Sequence, residues 1–433
     1  MNYINEYFFK SKKKYIEKIF DYYNFLYYRF NTYERFTNLS EEVFKSIYFY
    51  ENINKEIKRN HKTKEIKNIL VVLNGLDISQ APIKMHFILA KKLKEQNINY
   101  VLFSVLNKDE FNNFDLAEKC IKENELNYFI PKEYELEKRQ IEYFKFLDEN
   151  RFEAILFTSF YFSPLSIFIL KMVENKNIIL GRFVHQQPEN FFDSKMDFII
   201  NWDTLRYFNK CNRIYDVIWP IDSDYINSIE EKICLRESYC LPKNSKLIMS
   251  IGRSIKFKNN NFWLFILNFL NKYQNYYFFV IGADYSIFYD LDKEITDKIN
   301  QYKDRIIMLG HIENGFVLIK QCDIFLNTFP SGGGSALAEA YYFEKKILTF
   351  FNKMENPNPV ENSLSIIENY FENAENIFPK YPDIDNLLCL ADKLINDKDN
   401  FNEYYLKSKK YDIKNLEYKY FVENLIKFIK SIN

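Results

Sequence analysis

At 433 residues the chain is long enough for two domains with full cores. Its 59 Lys+Arg balance 59 Asp+Glu to a formal net charge of zero, which argues against bulk nucleic-acid binding. The six cysteines are scattered without a Cys-x-x-Cys pair, so neither a zinc site nor a disulfide framework is expected and a reducing cytoplasm fits. No apolar run reaches the roughly 18 residues that span a bilayer, and Met1-Asn-Tyr-Ile-Asn-Glu lacks a signal-peptide pattern.

Residues 1–65 read as a helical N-terminal segment. The basic cluster Lys10-Ser-Lys-Lys-Lys14 is followed by Tyr22, Tyr23, Phe25, Tyr27, Tyr28 and Phe30. Such a stretch is either a surface helix packed on the body or a face for a membrane surface or a partner. From Asn68 onward, strand-like and helix-like runs alternate. Ile69–Leu73 is continuously apolar, as buried parallel strands require, and Asn74-Gly75 ends it. A helix follows from Pro82 to about Glu95, with Pro82 suited to its first turn. Further strands are expected at Tyr100–Val105, Ala154–Phe157, Ile178–Val184, Phe198–Ile200 and Val217–Trp219.

A second series begins at Lys246–Ile251 and continues at Tyr277–Ile281, Ile306–Leu309, Ile324–Leu326 and Ile347–Phe350, with a helix over Asn261–Tyr273. The reading is an α/β protein of two Rossmann-like domains facing a cleft. The first covers residues 66–225 and the second 226–412, joined where the strand pattern lapses near 222–245. Residues 413–433 form a final helix, amphipathic from Leu416 to Ile432.

Ligands of such sheets bind beyond the carboxyl ends of the strands, and the chemistry-bearing residues fall there. Gly332, Gly333 and Gly334 lie between the strand-like run ending at Phe329 and a helix-like run, Ser335–Lys346. A glycine loop opening a helix lets backbone N–H groups approach a ligand, and the helix N-terminus suits phosphate. A tight strand-to-helix turn without a ligand is the plainer reading of the same residues. Glu339, one helical turn beyond Ser335, is placed to accept hydrogen bonds from sugar hydroxyls. After Lys246–Ile251 comes Gly252-Arg253-Ser-Ile-Lys256-Phe-Lys258, where Arg253 and Lys258 can neutralise a diphosphate. Gly282 ends the next strand, by a turn or a close approach. After the third, a turn at Gly310-His311 can read a nucleobase edge, or His311 is simply a solvated loop residue. In the first half, His185 follows a strand in Phe183-Val-His-Gln-Gln187 and can bond a sugar hydroxyl or act as a general base. Asn74 and Gly75 reach toward the cleft, and Asp77-Ile-Ser-Gln-Ala-Pro82 can carry acceptor contacts.

With these residues in view, the chain resembles a glycosyltransferase of the B-type fold, most like the family-4 nucleotide-sugar enzymes. The resemblance covers about residues 66–433 and is concentrated in the second half. It rests on Gly252, Arg253 and a lysine five positions later at Lys258, on Gly310, and on Glu339-Ala340. It implies that Glu339 contacts the donor ribose and that the loop before it, Ser331 to Ser335, contacts phosphate and sugar. It implies that His185 contacts the transferred sugar. Val217-Ile-Trp-Pro-Ile-Asp222 looks like the family's crossover into the second domain, and the last helix is implied to return to the first. Many members carry a second glutamate eight positions before the first; here that position is Ser331.

The implied activity is transfer of a sugar from a nucleotide-diphosphate donor to an acceptor hydroxyl, with retention, in bacterial surface glycan or glycoconjugate synthesis. The acceptor is a glycan, a lipid-linked glycan or a protein. No metal and no permanently bound cofactor are expected. The location expected is cytoplasmic, peripheral at the inner membrane face through residues 1–65. Two rivals stand beside it. A nucleotide-sugar 2-epimerase shares the fold, but Ala338 precedes Glu339, so its glutamate pair is missing. A non-catalytic glycosyltransferase-like partner or glycan-binding protein is motivated by Ser331 and the aromatic N-terminal segment.

Overall fold

The computed structural model describes residues 65–158, 164–173, 177–184, 194–201, 211, 213–229, 233–352, 364–397 and 400–432. The helical reading of the N-terminal segment and the assignment of His185 lie outside the described residues. The chain forms two compact units, one from the first half plus the stretch from Val422, the other chiefly Val217–Phe421. Each is an α/β layer structure on a wholly parallel sheet.

The first sheet has seven strands in the order β3-β2-β1-β4-β5-β6-β7. These are β1 Asn68–Leu73, β2 Asn99–Ser104, β3 Tyr128–Phe129, β4 Ala154–Thr158, β5 Ile179–Val184, β6 Phe198–Asn201 and β7 Ile214–Asp216. The central strands are buried on both faces because helices cover both sides, which is why their sequences are continuously apolar rather than alternating. Two strands differ from expectation. β3 is two residues long, too short to leave a sequence signature. The last strand falls at Ile214–Asp216, not at Val217–Trp219. Ile199, Ile200 and Asn201 of β6 pair with Ile214, Tyr215 and Asp216. The Asn201 amide donates to Asp216 at 2.7 Å, and Tyr215 stacks on Phe428 at 4.7 Å. Ile218 and Trp219 pack instead against the core of the second unit. Their apolar character therefore serves side-chain packing and not a ladder.

The second sheet has five strands in the order β10-β9-β8-β11-β12. They are β8 Lys246–Ile251, β9 Tyr276–Ile281, β10 Ile306–Met308, β11 Ile324–Leu326 and β12 Lys346–Leu348. Its core is strongly aromatic, with Trp263 packed edge-on against Phe262, Phe278 and Phe288. The helix Asn260–Lys272 begins where the Asn259 side chain accepts the Phe262 N–H at 3.0 Å. It ends against the Arg305 guanidinium, which donates to the carbonyls of Leu270, Tyr273 and Gln274. The helix expected over Ser335–Lys346 runs from Gly334 to Tyr342. Left-handed Glu344 turns the chain so that Lys345 N–H bonds the Ala340 carbonyl at 2.9 Å, and Lys346 then starts β12. Among the described residues no helix is long and apolar enough to cross a membrane. Among them, too, no three His, Cys, Asp or Glu side chains stand together as a metal-binding group.

Candidate functional site

In the second sheet, chain order runs from β8 outward to β9 and β10, then returns to β11 and β12 on the other side. The loops leaving β8 and β11 therefore diverge at a topological switch point, where open α/β sheets hold ligands. The loop after β8 is built around Phe257. Its ring is buried against Phe262, and its carbonyl accepts the Trp263 indole N–H at 2.8 Å. Anchoring Phe257 sends its two lysine neighbours to different partners. Lys258 Nζ pairs with Asp290 at 2.7 Å, an exposed ion pair worth about 0–1 kcal/mol. Lys256 Nζ donates to the Gly332 carbonyl at 2.5 Å.

Lys256 is thus the cation seated on the glycine loop, and spacing alone did not single it out over Lys258. Burial, and then the neighbouring Arg253 charge, push its ammonium down to about 8. It is still mostly protonated at neutral pH, and it is a cation that an anion beside it would stabilise.

The loop after β11 is held from beneath by side chains. Ser250 of β8 donates to the Leu326 carbonyl at 2.7 Å, and Thr328 donates to the Ser331 carbonyl at 2.7 Å. The Asn327 carbonyl oxygen accepts the Gly333 N–H at 2.9 Å. That N–H is consequently engaged inside the protein. Gly333 precedes the helix Gly334–Tyr342, and its carbonyl takes the first helical bond from Leu337 at 3.0 Å. No side chain caps this helix. Its first-turn N–H groups, at Gly334, Ser335 and Ala336, have no intrahelical acceptor and add the positive end of the helix dipole. Glu339 lies half-buried one turn further along.

The remaining residues assigned from sequence divide between the units. Gly252, Gly282 and Gly310 are linked across the strand ends: Gly252 N–H donates to the Ile281 carbonyl at 3.1 Å and Gly282 N–H to the Gly310 carbonyl at 2.7 Å. His311 is exposed on the loop after β10. Asn74 and Gly75 belong to the first unit, at its own switch point after β1. There Gly75 lies against Phe111, 2.9 Å from where a Cβ would stand. Asp77 is committed to the fold. Its carboxylate accepts from Ser79 N–H and Oγ, Asn113 Nδ2 and Gln80 Nε2. Burial pushes its pKa up, but these hydrogen bonds outweigh it and hold the group below its ordinary value.

No protein-family model matches the chain, and no curated protein matches it in sequence. Solved structures do match in fold. A glycosyltransferase from Rickettsia africae superposes with a TM-score of 0.54 at 14% identity, over 85% of this chain and 98% of that one. A variant O-GlcNAc transferase from Thermobaculum terrenum gives 0.56 at 9% identity, over 95% and 77%. The UDP-GlcNAc 2-epimerase of Neisseria meningitidis, bound to UDP-GlcNAc, gives 0.53 at 14% identity, over 84% and 100%. With its two parallel sheets, the chain has the fold of the B-type glycosyltransferases, built from two Rossmann-like domains. The likeness is one of fold alone.

Proposed function

We propose that the second unit binds a nucleoside diphosphate sugar and that the chain transfers the sugar to an acceptor hydroxyl. The observation that carries this reading is the Lys256 ammonium on Gly332, immediately before an uncapped helix N-terminus at the sheet's switch point. Bond cleavage between the sugar and the diphosphate leaves developing negative charge on the leaving phosphate. In this reading Arg253, Lys256 and the N–H groups of Gly334 and Ser335 stabilise that charge. Lys258 has the second role of tying the loop to Asp290. Glu339 bonds the ribose hydroxyls, and the turn at Gly310-His311 reads the base. In the first unit, His185 and the Asn74-Gly75 turn serve the transferred sugar. Retention is the outcome that family 4 suggests, and Ser331, in place of a second glutamate, is where this chain departs from it. The setting proposed is glycan or glycoconjugate synthesis at the inner membrane face, with residues 1–65 contacting the membrane surface or the acceptor.

Thermal stabilisation by a panel of nucleoside diphosphates and their sugars tests the reading. One nucleotide at 100 times its dissociation constant should add about 2.7 kcal/mol. Glu339→Ala should weaken that nucleotide by about 1.5–3 kcal/mol, the range for hydrogen bonds to a charged group. A folded variant with unchanged affinity would remove Glu339 from the site. If no nucleotide raises the melting temperature, the transferase reading gives way to a non-catalytic partner. The fold neighbours include a 2-epimerase, so turnover of the donor without any acceptor would favour that activity instead.

A further inference from the structure

We propose that Asn327 is a positioning residue for the diphosphate, acting through the Gly333 peptide; this rests on the nucleotide-binding reading above. Asn327 lies one residue beyond β11, and its backbone N–H still bonds the Leu348 carbonyl of β12 at 2.9 Å. The residue is 1% exposed. The residue is therefore part of the rigid sheet, while its amide reaches up into the loop.

The orientation of that amide is fixed by its surroundings. Thr349, fully buried, donates its hydroxyl proton to the Phe350 carbonyl at 3.2 Å. With that proton engaged, the hydroxyl offers Asn327 a lone pair, to which Nδ2 donates at 3.3 Å. The carbonyl oxygen faces the other way, where the Gly333 N–H, which can only donate, holds it at 2.9 Å. The relay thus runs from the Phe350 backbone through Thr349 and Asn327 to Gly333.

Gly333 has no side chain of its own to fix the start of the helix, and its carbonyl takes the first helical hydrogen bond. Holding its N–H from the sheet sets the plane of the Gly332–Gly333 peptide, from which the chain enters Gly334 and Ser335. On the far side of the same loop Lys256 holds the Gly332 carbonyl. A Cβ built on Gly333 would stand 3.7 Å from both Asn327 Oδ1 and Lys256 Nζ, so the two side chains flank one peptide. Asn327 touches no ligand in this scheme. It aims the N–H groups that do, and pre-aimed donors lose least on binding.

The test is titration of the full chain with UDP and with UMP, which lacks the terminal phosphate. Asn327→Leu removes the acceptor at similar size. It should weaken UDP by about tenfold or more, while UMP changes by less than about threefold. In turnover, KM for the donor should rise more than kcat falls. Equal loss of UDP and UMP would mark a structural role only and overturn the proposal, as would a folded Asn327→Leu with wild-type UDP affinity. If Asn327→Leu does not fold, Asn327→Ser, whose short side chain draws the acceptor back from Gly333, decides by the same comparison. Equal losses of UDP and UMP there, or no loss of UDP, overturn the proposal. A wild-type chain that binds no nucleoside diphosphate of the panel defeats the donor-site reading itself, and this inference with it.

Discussion

Replacing Lys256 with methionine is expected to weaken nucleoside diphosphate binding by about 3 kcal/mol, on the order of a hundredfold, in a protein that folds as well as the wild type. The side chain fills similar space, so packing beside Phe257 is kept and the ammonium alone is lost. The pH dependence adds a second readout. The folded-state pKa of Lys256 is lowered to about 8 from the ordinary 10.5, by burial first and Arg253 second. Between those values the unfolded chain holds more protons at this site than the folded one. Stability from this group therefore rises with pH across that window and is lowest below pH 8. Ligand affinity runs the other way. A bound diphosphate favours the charged form, so affinity should be level below the folded pKa and fall as pH rises through it. Titration calorimetry with UDP, from about pH 7.5 to pH 10 and so above the ionisation of its terminal phosphate, should show that fall in the wild type and a flat profile in Lys256→Met. Wild-type affinity in the methionine variant would take Lys256 out of the site. The matching substitution Lys258→Met should change affinity little, because that ammonium is already neutralised by Asp290.

The contrast between the two lysines shows what the sequence can and cannot carry. The strands were legible because parallel strands buried on both faces are uniformly apolar, and β8 and β11 fall where the runs Lys246–Ile251 and Ile324–Leu326 place them. The same signal misplaced the last strand of the first sheet. An apolar tripeptide at Val217–Trp219 reads alike whether it pairs in a ladder or packs Ile218 and Trp219 on another core. Which lysine faces the glycine loop depends on Phe257 being swallowed by the core and held through Trp263, a tertiary fact that spacing does not encode. Asn327 was invisible for a similar reason. An asparagine after a strand ordinarily reads as a turn residue, and only burial together with Thr349 and Gly333 gives it a different part.

Glycine offers the sharpest separation of fold from function, because two glycines assigned to one site should respond to alanine in opposite ways. Gly282 has a φ of +91°, and a Cβ there would stand 2.1 Å from the Gly252 carbonyl oxygen. That oxygen belongs to the backbone and cannot swing aside. Gly282→Ala should therefore cost roughly 3 kcal/mol or more of stability, from the unfavourable backbone region together with the clash. Gly333 has φ −109° and ψ 108°, a conformation open to any residue. A methyl group there would meet Ala336 Cβ at 3.4 Å and the Asn327 and Lys256 side chains at 3.7 Å, all ordinary contacts. Nothing in the fold demands glycine at that position, and removing unfolded-state freedom should make Gly333→Ala neutral or more stable by about 0.4–1 kcal/mol. Yet the methyl would sit over the peptide between Lys256 and the helix start, where the terminal phosphate is placed in the proposed complex. Its nucleotide affinity should fall by about tenfold, since an anion held off by one methyl loses its short N–H contacts. Chemical denaturation and UDP titration on the two variants decide the matter together. A destabilised Gly333→Ala that still binds UDP normally would mean that the triplet is a folding device, and the anion would have to be sought elsewhere.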